Sequence, residues 1–153
     1  MNLKQRAYCD RILQVDLSTG TVQTNPLPGR IIPLILGGKG LGAWLLYTGQ
    51  PAGVDPLSPE NRLIFHNGPL TGTTAPTSGR FGVTTKSPAT GTYFDSYCGG
   101  YWGNELKYAG YDALVLTGAA PGPVMLVIEN ERVDIRPADD LWGTSISRAT
   151  EAV

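Results

Sequence analysis

Apolar and polar residues alternate over Arg11–Asp16 (RILQVD) and again over Thr21–Thr24, with LSTG between them ending in Gly20. Period-two alternation marks a strand with one buried face, so the pattern predicts a hairpin. PLPGRIIPLIL follows, its prolines restricting the backbone until the glycine-rich GGKGLG at 37–42. Leu41–Thr48 (LGAWLLYT) has few breakers and predicts a short helix, and PAGVDPLSPEN reads as a loop. Arg62–His66 (RLIFH) is a short apolar run that predicts a buried strand leading into Gly68, and Phe81–Thr85 (FGVTT) alternates with β-branched residues as a further strand. Tyr101–Tyr108, opened by Gly99 and Gly100 and closed before Gly110, predicts a short helix. Ala113–Thr117 (ALVLT) predicts a buried strand, and Val124–Ile128 with Arg132–Arg136 a second hairpin.

The two hairpins expose an internal duplication. RILQVDLSTGTVQTNPLPG and PVMLVIENERVDIRPADD are each strand, turn, strand and proline exit, and each precedes a glycine-containing helix start, LGGKGLGAWLL or LWGTSISRATEAV. The first unit continues into a loop, the strand RLIFH and the turn GPLTG, whereas the second reaches Val153 as SISRATEAV, with a capping serine and no stop signal. The expectation is an α+β fold of duplicated hairpin-plus-helix units, the second truncated, forming one incomplete domain over residues 1–153.

Composition narrows the function classes. A chain of 153 residues with 41% hydrophobic content and a net charge of -1 can bury one core, and it has no basic surplus for unspecific nucleic-acid binding. No apolar run approaches the roughly 20 residues of a membrane span, and MNLKQRAYCD lacks the apolar centre of a signal peptide. The reading is cytoplasmic, with Cys9 and Cys98 as reduced thiols. A structural zinc or iron–sulfur site needs about four ligands; two cysteines and His66 alone cannot supply one.

Candidate chemistry concentrates between Gly68 and Gly110, where nine glycines stand among Thr and Ser beside Arg80. Glycine sits where backbone turns through positive φ or closely approaches something, so the segment reads as main chain wrapped around a polar, phosphorylated ligand. Gly99 and Gly100 would offer free N–H groups at a helix start, and Arg80 a planar fork for phosphate or carboxylate. For the first the alternative is packing alone, and for the second a surface arginine. GGKGLG meets neither the dinucleotide fingerprint nor the P-loop pattern and reads as a structural turn. His66 reads as a core or edge histidine. Asp95, Glu60 and Glu105 form no acid–base couple by spacing, and nothing local points to nucleophilic catalysis. Tyr93, Phe94, Tyr97, Tyr101 and Trp102 form an aromatic group that either stacks on a flat cofactor or fills the core.

ILQVDLSTGTV, LGGKGLGAWLLY, GVDPLSPENRLIFHNGPLTGTTAPTSGRFGVTTKSPATGTY, GGYWGNELKYAGYDALVLTGAA and LWG, in this order, resemble the N-terminal domain of the aldehyde ferredoxin oxidoreductases. The resemblance implies two similar β-sheets forming a base for two pterins that hold tungsten, or molybdenum in some relatives, beside an iron–sulfur cluster. It implies oxidation of an aldehyde to a carboxylic acid, with electrons leaving through the cluster to ferredoxin. Carried over by motif, Arg80 would contact a pterin and lie between it and the cluster. The segment Tyr97–Gly100 would bind pterin phosphate at Tyr97, Gly99 and Gly100, and the Tyr97 carbonyl would meet a bridging magnesium. The cluster cysteines and the catalytic acidic and histidine residues would follow Val153 on a downstream polypeptide. The alternative is a stand-alone binding or assembly module without redox activity; unfinished sheets leave pairing edges, so an oligomer is expected.

Overall fold

A central strand with no polar alternation organises the molecule. In the computed structural model, which describes residues 7–153, that strand is β6 (Ala113–Thr117), whose Ala113, Leu114 and Val115 are buried on both faces. A fully apolar run suits a position covered on both sides. On one flank β6 pairs in parallel with β1 (Arg11–Asp16), which carries β2 (Thr21–Pro26) as its antiparallel hairpin partner. On the other flank lie β3 (Leu63–Asn67), β4 (Phe81–Lys86) and β5 (Tyr93–Cys98), all antiparallel. The six-stranded order is β2-β1-β6-β3-β4-β5, and β7 (Val124–Glu129) with β8 (Arg132–Pro137) forms a separate two-stranded sheet.

The helices are short and few. α1 (Ile32–Ile35) is a single turn, α2 (Lys39–Gly49) is the longest, and α3 (Trp102–Tyr108) and α4 (Ile146–Ala152) each span 7 residues. A 3-10 turn over Asp139–Leu141 precedes α4, whose Ser145 hydroxyl accepts from the Arg148 amide at 3.3 Å as its sequence predicts. The architecture is α+β, and the two predicted hairpins sit in separate sheets.

Each face of the large sheet is covered by one half of the duplicated pattern. Ile12, Ile64 and Val115 pack against Leu41, Leu45 and Leu46 of α2 and Ile31 and Ile32 near α1. On the opposite face Leu13, Val15 and Leu114 meet Leu106 of α3, with Leu126, Ile128, Val133 and Ile135 of the second hairpin laid against them. Each fully buried side chain contributes about 1.5–3 kcal/mol, and the half-buried ones of the second hairpin less. The second hairpin is therefore the lid of this core.

Two readings need correction. The PLPGRIIPLIL segment, read from sequence only as proline-restricted backbone, makes the helical turn α1, because proline is tolerated in a first turn where its missing N–H has no partner anyway. Tyr93–Cys98 was not predicted as a strand. It is the edge strand β5, almost wholly exposed, so its sequence carries no burial alternation.

Candidate functional site

Three glycine-bearing connections meet at one end of the large sheet. The loop after β3 is pinned by Thr71, whose hydroxyl accepts from the Gly68 amide at 3.2 Å and lies 3.3 Å from the Arg80 carbonyl, to which it donates. Asn104 of α3 accepts from the Gly72 amide at 3.1 Å, where φ is +78° and a side chain would be strained. Asn67 at the end of β3 donates to the Gly103 carbonyl at 3.0 Å. The arginine loop touches the paired-glycine loop, since a Cβ added at Gly79 would lie 3.6 Å from the Gly100 carbonyl and from Asn104 Nδ2. Buried and half-buried polar anchors thus fix the chain at Arg80 and just after Gly99 and Gly100.

What those loops present is open. A Cβ at Gly99 or Gly100 would meet no heavy atom within 4 Å, and Gly100 has φ +99°. Arg80 is exposed, and its guanidinium has no hydrogen bond or ion pair among the described residues. α3 spans under two turns, so its dipole adds little beyond the loop amides themselves.

Ladder phase directs the main chain of β5. In an antiparallel pair, residues alternately turn N–H and C=O toward the partner strand and away from it. The Ser87 amide bonds the Thr92 carbonyl at 2.8 Å, which sets Ser87 facing β5. One step along, Lys86 uses its N–H and C=O on the Asn61 side chain, away from β5. Its register partner Tyr93, and with it Asp95 and Tyr97, therefore turn their main-chain groups to the free edge of the sheet. The Tyr97 carbonyl points outward.

A polar layer underlies that edge. His66 is fully buried, with Nε2 3.0 Å from Thr84 Oγ1 and its ring edge-on to Tyr97 at 6.3 Å between centroids. Burial lowers its pKa to about 4, so the imidazole is neutral at pH 7. Above it, Lys39 Nζ bonds Asp95 at 2.9 Å, and hydrogen bonding to Lys39 holds that carboxyl below its ordinary range.

The sequence-predicted residues come together only in part. Arg80, Gly99 and Gly100 share the open end of the sheet, with Tyr97 leading into it. All five members of the aromatic group are exposed, and none lies in the core; Trp102 packs on Phe81 and Phe65, at 4.6 and 5.0 Å between centroids. Glu60 and Glu105 join no site with Asp95, and no cluster of three or more His, Cys, Asp or Glu able to hold a metal occurs among the described residues. Both cysteines are unpaired, Cys98 exposed and Cys9 with its thiol pushed up by burial. Sequence reasoning missed the Thr71, Asn67 and Asn104 anchors; three polar residues beside glycines were the available signal. No helix among the described residues is long and apolar enough to cross a membrane.

A mixed sheet ending in a glycine-lined, arginine-edged backbone surface defines an α+β domain with one open end. The family described as "Aldehyde ferredoxin oxidoreductase, N-terminal domain" matches residues 12–153, and the chain belongs to it. It is 48% identical to the tungsten-containing aldehyde ferredoxin oxidoreductase of Pyrococcus furiosus, over 93% of this chain and 23% of that protein. Identity to the enzyme of the same name from Thermococcus kodakarensis is 46%, over 94% and 24% respectively. Among solved structures, the active site complex BamBC of benzoyl coenzyme A reductase, in complex with 1,5 dienoyl-CoA, contains a chain that is 41% identical, with a TM-score of 0.93 over 96% of this chain and 22% of that one. The chain thus spans about a quarter of the length of these curated relatives.

Proposed function

We propose that this chain forms the base on which the phosphate end of a tungsten bis-pterin rests, within an oxidoreductase that converts aldehydes to carboxylic acids. One observation carries the reading. A Cβ added at Gly99 or Gly100 would meet no heavy atom within 4 Å, while buried anchors hold the neighbouring main chain beside a guanidinium without a hydrogen-bond or ion-pair partner among the described residues. Oxygen and N–H groups of this kind fit a phosphate and a hard divalent cation. Arg80 would contact the pterin with its planar fork, on the side facing an iron–sulfur cluster. Tyr97, Gly99 and Gly100 would hold the phosphate, and the outward Tyr97 carbonyl would face a bridging magnesium.

When bound, the metal–pterin would supply the two-electron chemistry; molybdenum in its place keeps the same donor set. This chain's residues would orient the group. The cluster cysteines, the acid–base residues and the ferredoxin contact are assigned to a downstream catalytic polypeptide, in the cytoplasm. The free edges of β2 and β5 favour association with that polypeptide or a second copy. A monodisperse monomer by light scattering would remove the association.

The test is composition of the complex. Purified with its catalytic partner, the chain is expected to carry tungsten by elemental analysis and pterin by fluorescence after oxidation. Arg80→Ala is expected to lower both about tenfold, the loss of roughly 1.4 kcal/mol. A well-folded wild-type complex with neither metal nor pterin overturns the reading.

A further inference from the structure

His66 lies beneath the candidate site and plays no part in the function proposed above. Its ring is walled by two glycines on different elements. A Cβ on Gly42 of α2 would lie 2.6 Å from both His66 Nε2 and Thr84 Oγ1, and one on Gly82 of β4 would lie 2.8 Å from Nε2 and 3.0 Å from Nδ1. Real Cβ contacts under 3.0 Å essentially never occur, so both positions admit the imidazole only as glycine. The third wall is Tyr97, met edge-on at an interplanar angle of 77°. Nδ1 has no hydrogen-bond partner among the described residues.

This arrangement costs free energy that an apolar side chain would avoid. A buried polar atom without a partner is unfavourable by about 1–3 kcal/mol, and each such group in a folded protein needs an explanation. Leucine or phenylalanine at 66 would carry no such cost. The imidazole offers instead one anchored nitrogen and a rigid planar edge, and that edge abuts the residue whose carbonyl faces the open edge of the sheet. A flexible aliphatic chain cannot fix a neighbouring ring in this way.

We propose that His66 is a positioning residue: anchored by Thr84 and clamped between Gly42 and Gly82, it sets the placement of Tyr97 and so the direction of the Tyr97–Gly100 main chain. The inference rests on the proposed phosphate-holding role of that segment and adds the group that orients it. Asp95 and Lys39 approach Tyr97 from the exposed side, so the phenol is held between a buried strut and a surface ion pair.

The 153-residue chain labelled with 15N allows a test in which inorganic phosphate is the probe. In the wild type, phosphate is expected to shift the Gly99 and Gly100 amide resonances. In His66→Leu, the core amides of Leu13 and Leu114 are expected to keep their positions, those of Tyr97 and Gly99 to move before any phosphate is added, and phosphate affinity to fall about tenfold. His66→Gln, which can keep a polar partner for Thr84, is expected to recover part of both. Tyr97 and Gly99 resonances at wild-type positions in a folded His66→Leu chain overturn the proposal. If His66→Leu fails to fold, Thr84→Val, which keeps the ring and removes its anchor, decides by the same two resonances. A wild-type chain whose Gly99 and Gly100 amides ignore phosphate counts against the phosphate-holding function, while the unliganded shifts still judge His66.

Discussion

The glycines of α2 and β4 and those after β5 obey opposite rules. Gly42 and Gly82 are absent of side chain because another residue occupies the space, and Gly103 is the same kind, with a Cβ there falling 2.9 Å from Asn67 Oδ1. Gly99 and Gly100 face nothing within 4 Å, although the loop they belong to is adjacent to buried anchors. Packing explains the first set completely. Gly100 is required by its φ of +99°, but nothing within this chain explains Gly99, and that contrast separates a position kept free for the fold from the one proposed to be kept free for a ligand.

The largest effect expected is on the walled set. Gly42→Ala in a solvent-facing helix would stabilise by up to about 1 kcal/mol through propensity. Here the new methyl group must displace the His66 ring and Thr84, so the expectation reverses to a loss of about 3 kcal/mol, as for overpacked cores. Gly82→Ala should cost a similar amount, with a methyl group pressed against the opposite side of the ring. Chemical denaturation measures both. If either variant is as stable as the wild type, the imidazole is not clamped and the distinction between the two sets fails.

Acid titration sharpens the same region. His66 has its folded pKa lowered from 6.5 to about 4, so between those values the unfolded chain binds the proton and the native state does not. Stability contributed by this group is fully present above pH 6.5 and is lost as pH falls toward 4, by about 3 kcal/mol across the interval. Comparing denaturation midpoints of the wild type and His66→Gln between pH 7 and 4 isolates the term. The variant is expected to be less acid-sensitive by that margin, and equal slopes would mean the ring is accessible to protons in the native state.

How much of this was legible in the sequence follows from the same physics. Where one side chain decides the local structure, the residues announced it. RILQVD and ALVLT predicted their strands, Ser145 its cap, and the two hairpins their existence, because burial on one face or both leaves a periodic trace. β5 left none, since Tyr93–Cys98 is exposed on both faces and is a strand only through its pairing with β4. The composition of the open end was readable as a cluster of glycines with Arg80. What distinguishes Gly99 from Gly82 was not, because the atom that fills or fails to fill the vacant Cβ position belongs to a residue distant in sequence. The His66 strut was invisible for the same reason, requiring α2, β3, β4 and β5 to be placed together first.

Arg80→Ala tests the open set through its charge. The exposed guanidinium makes no hydrogen bond or ion pair with described residues that would be lost, so the melting temperature is expected to stay within about 1 °C, the change of a surface substitution worth a few tenths of a kcal/mol. Phosphate affinity, read from the Gly99 and Gly100 amides, is expected to fall by about 1.5–3 kcal/mol, the worth of hydrogen bonds to a charged group. Equal affinity in the variant would place the anion-holding work on the main chain alone.

A similarly small effect on stability is expected at Gly99, and its sign decides the comparison. Gly99 lies outside the left-handed region, so alanine can adopt its backbone without strain, and the residue loses less freedom on folding than glycine does. Gly99→Ala should therefore be neutral or stabilise by about 0.5 kcal/mol, the reverse of Gly82→Ala. Its methyl group would stand in the space the ligand is proposed to use, so binding of phosphate to the isolated chain and retention of pterin by the complex should both fall while the fold gains. Gly100 cannot serve for this test, because its φ of +99° adds a strain that would mask the binding effect. A Gly99→Ala chain that is both as stable and as retentive of pterin as the wild type would leave the open space without a function, and the two kinds of glycine would differ only in what happens to lie nearby.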